Sequence, residues 1–149
     1  MITMPRPLSL TAIELDVLAR TLYGECRGEI LESKLAHAWV IRNRVVADLG
    51  EDNQPDWWGE GVIDVCQKRR QFSCWNRDDP NWLGLHAVDY GDDAMQDCIY
   101  AALMVWRGYV RDPTWGARHY HAEEASPPWA EGHKPVCTIG RTVFFNTVK

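Results

Sequence analysis

The sequence predicts a mainly helical α+β domain with a small β element near its C-terminus. Three observations predict it. Apolar residues recur at spacings of three and four in three long stretches. Each stretch closes on a glycine, Gly28, Gly50 or Gly108. Beyond Gly108 the pattern changes to turn signals and short extended runs.

The first helix is predicted from Ala12 to about Arg27. Thr11 and Glu14 form a T-x-x-E capping box, Leu10 and Leu15 suit a hydrophobic staple, and Gly28 ends the helix. A second helix covers roughly Glu32 to Asp48, with Leu35, Ala38, Trp39, Val45, Val46 and Leu49 on its core stripe and Gly50 closing it. Ala36, Val40 and Asn43 run along an adjacent stripe, so Asn43 faces inward and needs partners, at a site or as an amide holding a loop. Glu51 to Gly61 reads as a polar loop, followed by a short helix from Val62 to Lys68. Arg69 to Asp93 has no sustained period, and loops of that length inside a compact domain are usually functional. The next helix starts after Asp92 or Asp93 and runs to about Arg107, with Ala94, Cys98, Ala101 or Ala102, Val105 and Trp106 facing the core. Asp112-Pro113-Thr114 is a turn signal. Ala117 to Ala122 reads as extended, Tyr120 on one side and His119 and His121 on the other. After a proline-bearing loop at Ser126 to Pro135, Val136 to Ile139 and Thr142 to Thr147 read as two strands joined at Gly140-Arg141.

With 149 residues, 46% hydrophobic and 25% charged, the chain fits one domain over residues 1–149 with a sizeable core. A net charge of -5 argues against a nucleic-acid binder and gives no polybasic signal for anionic membranes. No apolar run approaches the about 20 residues that span a bilayer, so no membrane insertion is expected. Met1 to Pro7 lacks the apolar core of a signal peptide, which implies synthesis in the cytoplasm. The five cysteines are scattered without a C-x-x-C pair and read as reduced, mostly buried thiols. Of the eight tryptophans, Trp39 and Trp106 fall in helical patterns and belong to the core. Trp57, Trp58, Trp75, Trp82 and Trp115 fall in loops, where flat amphipathic rings suit the apolar faces of sugars or fill small cores of the loops themselves.

Glu25 is the residue out of place. Leu15, Leu18 and Leu22 form one helical stripe, and the next step of three puts a carboxylate where an apolar residue belongs. Burial disfavours the charged form, and a carboxyl held protonated near neutral pH is what a general acid requires. The alternative is a helix-end acid that reaches water and pairs with Arg20 or Arg27. Glu29, one turn on, reads as a helper that orients Glu25 or binds substrate, or as an ion-pair partner of Arg27 or Arg42. His119, His121, His133 and Cys137 lack an acidic ligand at a recognised spacing, so neither metal nor cofactor is expected. Nothing in the spacing selects a nucleophile pair of Cys26 or Cys74 with His119.

Tyr23-Gly24-Glu25-Cys26-Arg27-Gly28-Glu29, followed by Ala36 to Val40 and Asn43-Arg44-Val45, resembles the signature of the cell wall hydrolases related to the spore cortex-lytic enzyme SleB. Gln71-Phe72-Ser73-Cys74, Asp112-Pro113-Thr114 with Gly116-Ala117 and Tyr120, and Ile139-Gly140 with Phe144-Phe145 resemble that family's later blocks in the same order. The likeness spans about residues 15 to 146 and departs at Cys26, where the family more often has a small residue such as alanine. It implies a lysozyme-like catalytic domain acting on the glycan strands of peptidoglycan; no cofactor is expected, and a monomer is. Glu25 maps to the family's catalytic glutamate. The implied reaction is lytic transglycosylation between N-acetylmuramic acid and N-acetylglucosamine, leaving 1,6-anhydro ends. Gln71, Ser73 and Tyr120 match positions near the cleft and are assigned with Glu29 to substrate contact; Phe72 is assigned to packing. The rival readings are a hydrolytic muramidase using Glu25 with Glu29 or an aspartate of the Asp78-Asp79 loop, a non-catalytic peptidoglycan-binding module, and a thiol-dependent amidase or peptidase. With neither leader nor wall-binding module, the expected setting is a phage-type endolysin, released to the wall through a lesion made by a separate holin-type protein.

Overall fold

The computed structural model describes residues 4–47, 51–53, 57–69 and 71–149. Among the described residues five α-helices, α1 (Ala12–Cys26), α2 (Leu31–Val45), α3 (Gly61–Gln67), α4 (Trp82–Ala87) and α5 (Asp93–Trp106), precede a small sheet near the C-terminus. Its strands are β1 (His119–Ala122), β2 (Cys137–Ile139) and β3 (Thr142–Phe145), antiparallel in the order β1-β3-β2. The fold class is the mainly helical α+β arrangement that the periodicities predict. Among the described residues no helix is long and apolar enough to cross a membrane.

The helix starts follow their caps. Thr11 accepts from the Glu14 N–H at 3.1 Å while Glu14 accepts from the Thr11 N–H at 2.9 Å, and Asp92 accepts from the Met95 N–H at 2.9 Å. The end of α1 differs from expectation. Gly28 is not in the left-handed conformation; Arg27 caps the helix through Tyr23 O, and the Glu29 N–H returns to Cys26 O at 2.9 Å. Gly108 does terminate α5 with φ +73°. Asp48, Leu49 and Gly50, expected to finish the second helix, lie outside the described residues. Val46, placed on its core stripe, is 51% exposed just past the last helical turn.

The stretch from Arg69 to Asp93 is more ordered than an aperiodic loop. It holds a single 3-10 turn over Ser73–Trp75 and the six residues of α4. Six residues are too few to display a helical period. The C-terminal carbonyls of α4 are instead held from α1, where Arg20 donates to Leu85 O at 2.6 Å and Val88 O at 3.0 Å and is braced by Asp16 at 3.0 Å.

Two cores result. The larger joins α1, α2, α3 and α5 through Leu18, Leu22, Ile41, Val65, Met95 and Trp106. The smaller joins α2 to the sheet through Ala36, Val40, Ala117 and Phe144. Helix α2 therefore has two buried faces, and its Arg42 and Asn43 find partners in neighbouring chain. Arg42 donates to Val105 O at 2.7 Å and Trp106 O at 3.3 Å, capping α5, and also to Arg6 O. Asn43 holds a loop, as one of its two expected roles had it. It donates to Asp112 Oδ2 at 2.8 Å and Ala117 O at 3.0 Å, fixing the turn that feeds β1.

Candidate functional site

Leu18 and Leu22 are fully buried, and one turn further along the same stripe lies Glu25, half-buried at the foot of a groove. Its proton affinity is raised above the ordinary glutamate value of 4.5, chiefly by desolvation. The Tyr120 hydroxyl and the Cys74 thiol pull it down, Asp79 pushes it up, and the Arg44 cation pulls it down again. Neither expected cation neutralises it. Arg20 is engaged with Asp16 and α4, and Arg27 donates to Asn81 Oδ1 at 2.7 Å.

Tyr120 comes from β1, opposite Phe144 in the sheet register, and its hydroxyl donates to Glu25 Oε1 at 2.6 Å. The ring is held edge-on by His37, with centroids 4.5 Å apart, and in a tilted contact by Phe144 at 5.8 Å. Burial lowers His37 to about 4, so it packs as a neutral imidazole whose Nδ1 donates to Ser33 O at 2.7 Å. Burial and the neighbouring Glu25 push the Tyr120 hydroxyl well above its usual range, so it stays a donor. Arg44 is 9% exposed, donates from Nε to Arg118 O at 2.8 Å, and is lowered by burial only to about 10. It is a permanent cation within electrostatic reach of Glu25.

Two adjoining hollows of about 430 and 470 Å³ meet at Glu25 and Tyr120, which line both. The first is polar, walled by Arg27, Glu29, Asn81, Glu124 and Arg141. The second carries Arg44, Trp57, Gln71, Ser73, His119 and Trp129. A carboxyl at the waist of a two-lobed groove has room for a ligand unit on either side of it.

The structure brings Glu25, Glu29, Gln71, Ser73 and Tyr120 to this groove, with different parts to play. Glu29 does not touch Glu25, nor does it pair with Arg27 or Arg42. Its carboxylate accepts from the Arg141 N–H at 3.1 and 3.3 Å and from Thr142 Oγ1 at 2.9 Å, clamping the β2–β3 turn onto the end of α1. Gly140 permits this at φ +60°, since a Cβ there would lie 2.6 Å from Glu29 Oε2. Gln71 ties loop to helix by donating to Trp58 O at 3.0 Å and Val65 O at 2.7 Å, while its buried Oε1 has no protein partner. Ser73 is exposed on the wall, and Phe72 is buried as packing.

The loop tryptophans divide between their two expected roles. Trp58 is fully buried between the guanidinium groups of Arg44 and Arg118, 5.9 and 5.6 Å from its centroid. Trp75 donates to Thr21 Oγ1 at 2.9 Å, Trp82 stacks on His86 at 4.4 Å, and neither lines the groove; nor does Trp115. Trp57 and Trp129 do line it. His119 packs between Trp58 and Trp129 and is lowered to about 4, first by burial and then by Arg44 and Arg118. Among the described residues no group of three or more His, Cys, Asp or Glu side chains converges as a metal site. Burial pushes the Cys26 and Cys74 thiols upward, against what a nucleophile needs. Arg44 and Trp129 line the groove although periodicity did not single them out.

The sequence pattern of the cell wall hydrolase family matches residues 28–145, beginning just after Glu25. Two solved structures share the fold. One is the catalytic domain of the Bacillus cereus SleB protein, at 23% identity and a TM-score of 0.65, with 94% of each chain covered. The other is the catalytic domain of the germination-specific lytic transglycosylase SleB from Bacillus anthracis, at 23% identity and a TM-score of 0.65, covering 93% of this chain and 98% of that one. No curated protein sequence matches.

Proposed function

We propose that the chain, which belongs to the cell wall hydrolase family, cleaves the N-acetylmuramic acid–N-acetylglucosamine bond of peptidoglycan as a lytic transglycosylase, with Glu25 as general acid and base. The observation that carries the reading is the desolvated Glu25 carboxyl at the waist of the groove, its proton affinity raised and its Oε1 fixed by Tyr120.

In this reaction a sugar lies in each lobe. Glu25 gives its proton to the bridging oxygen as the bond from C1 to that oxygen breaks, and positive charge builds on C1 and the ring oxygen. Glu25 is then a carboxylate, stabilised by the Tyr120 O–H and the field of Arg44. The C6 hydroxyl of the muramic residue closes on C1 and returns its proton to Glu25. The enzyme regains its starting state, the product carries a 1,6-anhydro ring, and no water is consumed. A second carboxylate is not required, which fits the engagement of Glu29 with the β2–β3 turn.

A muramidase is the second reading, favoured by the charge of Asp79 acting on Glu25. Mass spectrometry of muropeptides released from purified peptidoglycan separates the two, since anhydro ends are lighter by one water than hydrolysed reducing ends. Glu25→Gln is expected to release no fragments while keeping the wild-type fold. Lysis by that variant would overturn both readings.

A further inference from the structure

The two lobes of the groove offer a sugar different surfaces. The first is walled mainly by charged side chains, among them Arg27, Glu29, Glu124 and Arg141. The second carries the indoles of Trp57 and Trp129 beside the Ser73 hydroxyl and the His119 imidazole. Trp57 is 59% exposed and rests on Trp58, with centroids 5.4 Å apart. Trp129 is backed edge-on by Phe145 at 5.2 Å. His119 lies against Trp129 at 5.3 Å and against the buried Trp58 at 6.1 Å, and its backbone is registered opposite Phe145 in the sheet. Its Nδ1 is buried without a partner, so the edge of the ring that lines the hollow is the opposite one, which carries Nε2. Burial and the charges of Arg44 and Arg118 keep the imidazole neutral, and a neutral imidazole has one N–H. With no acceptor beside Nδ1 and two cations near the ring, that proton belongs on Nε2.

We propose that the second lobe selects an acetamido substituent, with His119 as the specificity-determining residue: Nε2 donates to the acetamido carbonyl oxygen while Trp57 and Trp129 cover the methyl group and the sugar face. The proposal rests on the reading of the groove as a glycan-binding cleft. An acetamido group is half polar and half apolar, and so is this lobe, a few polar groups set among aromatic rings. A carboxylate would call for an accessible cation. Arg44, the cation beside His119, is instead buried, its guanidinium over Trp58 and Phe72 at 5.9 and 5.2 Å and its Nε spent on Arg118 O. A plain sugar hydroxyl could meet Nε2 but brings no methyl to the indoles. A pocket built around a donor also rejects analogues that leave that donor unpaired.

Triacetylchitotriose and cellotriose test this, two uncharged trisaccharides of the same linkage that carry an acetamido group or a hydroxyl at C2. Each is titrated into Glu25→Gln, so that the sugar stays intact, and binding is followed by the indole N–H signals of Trp57 and Trp129 in NMR. Triacetylchitotriose is expected to shift both signals and to bind about tenfold or more tightly than cellotriose. Adding His119→Ala should weaken triacetylchitotriose several-fold and leave cellotriose nearly unchanged. His119→Gln, which keeps an N–H donor, should retain most of the preference; thermal unfolding shows that each variant folds. Equal affinity for the two sugars, or no shift at Trp57 and Trp129 with either, would overturn the proposal. So would a His119→Ala variant that loses both sugars in equal measure, which is what packing alone predicts. Lysis of peptidoglycan by Glu25→Gln would instead overturn the proposed function, and these affinities, which need no catalysis, would keep their meaning.

Discussion

Replacing Tyr120 by phenylalanine removes one oxygen and little else. The ring keeps its place against His37 and Phe144, and its backbone register opposite Phe144 is unchanged. What is lost is the donor 2.6 Å from Glu25 Oε1. A hydrogen bond to a charged acceptor contributes about 1.5–3 kcal/mol, far more to the carboxylate than to its protonated form. At about 1.4 kcal/mol per tenfold, the ratio of protonated to ionised Glu25 at any pH rises roughly 10- to 100-fold. Lysis by a protonated acid falls as pH rises through the titration of that acid. The alkaline limb is therefore expected to move upward by about one to two pH units. The plateau rate should drop at the same time, because the carboxyl loses the contact that fixes its orientation and gains a less stable conjugate base. Turbidity loss of purified peptidoglycan, followed at a series of pH values from mildly acidic to mildly alkaline, reads both effects. A limb that stays where the wild type has it, in a variant with an unchanged melting temperature, would refute the assignment of Tyr120 as the hydroxyl that stabilises ionised Glu25.

Glu25→Gln should also change stability with a definite sign. Because the folded-state proton affinity of Glu25 is raised above the unfolded value near 4.5, its contribution to stability is present in full below that pH and is lost as pH rises through the folded-state titration. Glutamine has no such dependence, so the melting temperature of the variant relative to wild type should climb from acidic to neutral pH; parallel curves would contradict the raised affinity. Glu29→Ala removes the clamp on the β2–β3 turn. With the residue part-exposed, a loss of about 1–3 kcal/mol is expected, a fall of several degrees in melting temperature for a chain of this size. Lysis should weaken with it as the Arg141 wall of the first hollow loosens; an unchanged melting temperature would show that the turn is held without Glu29.

Helices α1 and α5 were legible because each carries its own signals: the Thr11–Glu14 capping box, the Asp92 cap and the stop at Gly108. Helix α4 was not, since its C-terminal carbonyls are satisfied by Arg20, a residue distant in sequence. Glu25 stood out because an acid interrupts an apolar stripe, a property of one helix read alone. Its partnership with Tyr120 spans 95 positions and has no local trace beyond the side of β1 on which Tyr120 falls. The protein partners of Glu29 were not legible for a different reason. Reading a carboxylate against nearby basic side chains overlooks main-chain donors, and a tight turn offers an N–H as good as any lysine. Trp58 shows why the sequence left two roles open for a loop ring, since the two guanidinium groups that cover it arrive from elsewhere in the chain.

The acid and the groups that tune it sit on different bodies of the fold, so the chemistry depends on how those bodies dock. Glu25 belongs to α1 and the larger core, whereas Tyr120 belongs to the sheet, which reaches the helices through the small cluster of Ala36, Val40, Ala117 and Phe144. Ala36 is fully buried there, and a small residue on α2 is what lets the sheet approach closely. Asn43, two turns further along the same helix, fixes the entry to β1 through Asp112 and Ala117. Glu29 closes the far end by holding the β2–β3 turn. These contacts fix the strand at both ends and along its buried face, which is why a hydroxyl carried by the sheet can meet a carboxyl carried by α1 at 2.6 Å. Three strands of three or four residues offer little hydrophobic face of their own, and so small a sheet gains stability by packing against a helix. Its rigidity at the groove is supplied by α2, and so the residues that most directly govern the geometry of Glu25 include several that never touch it.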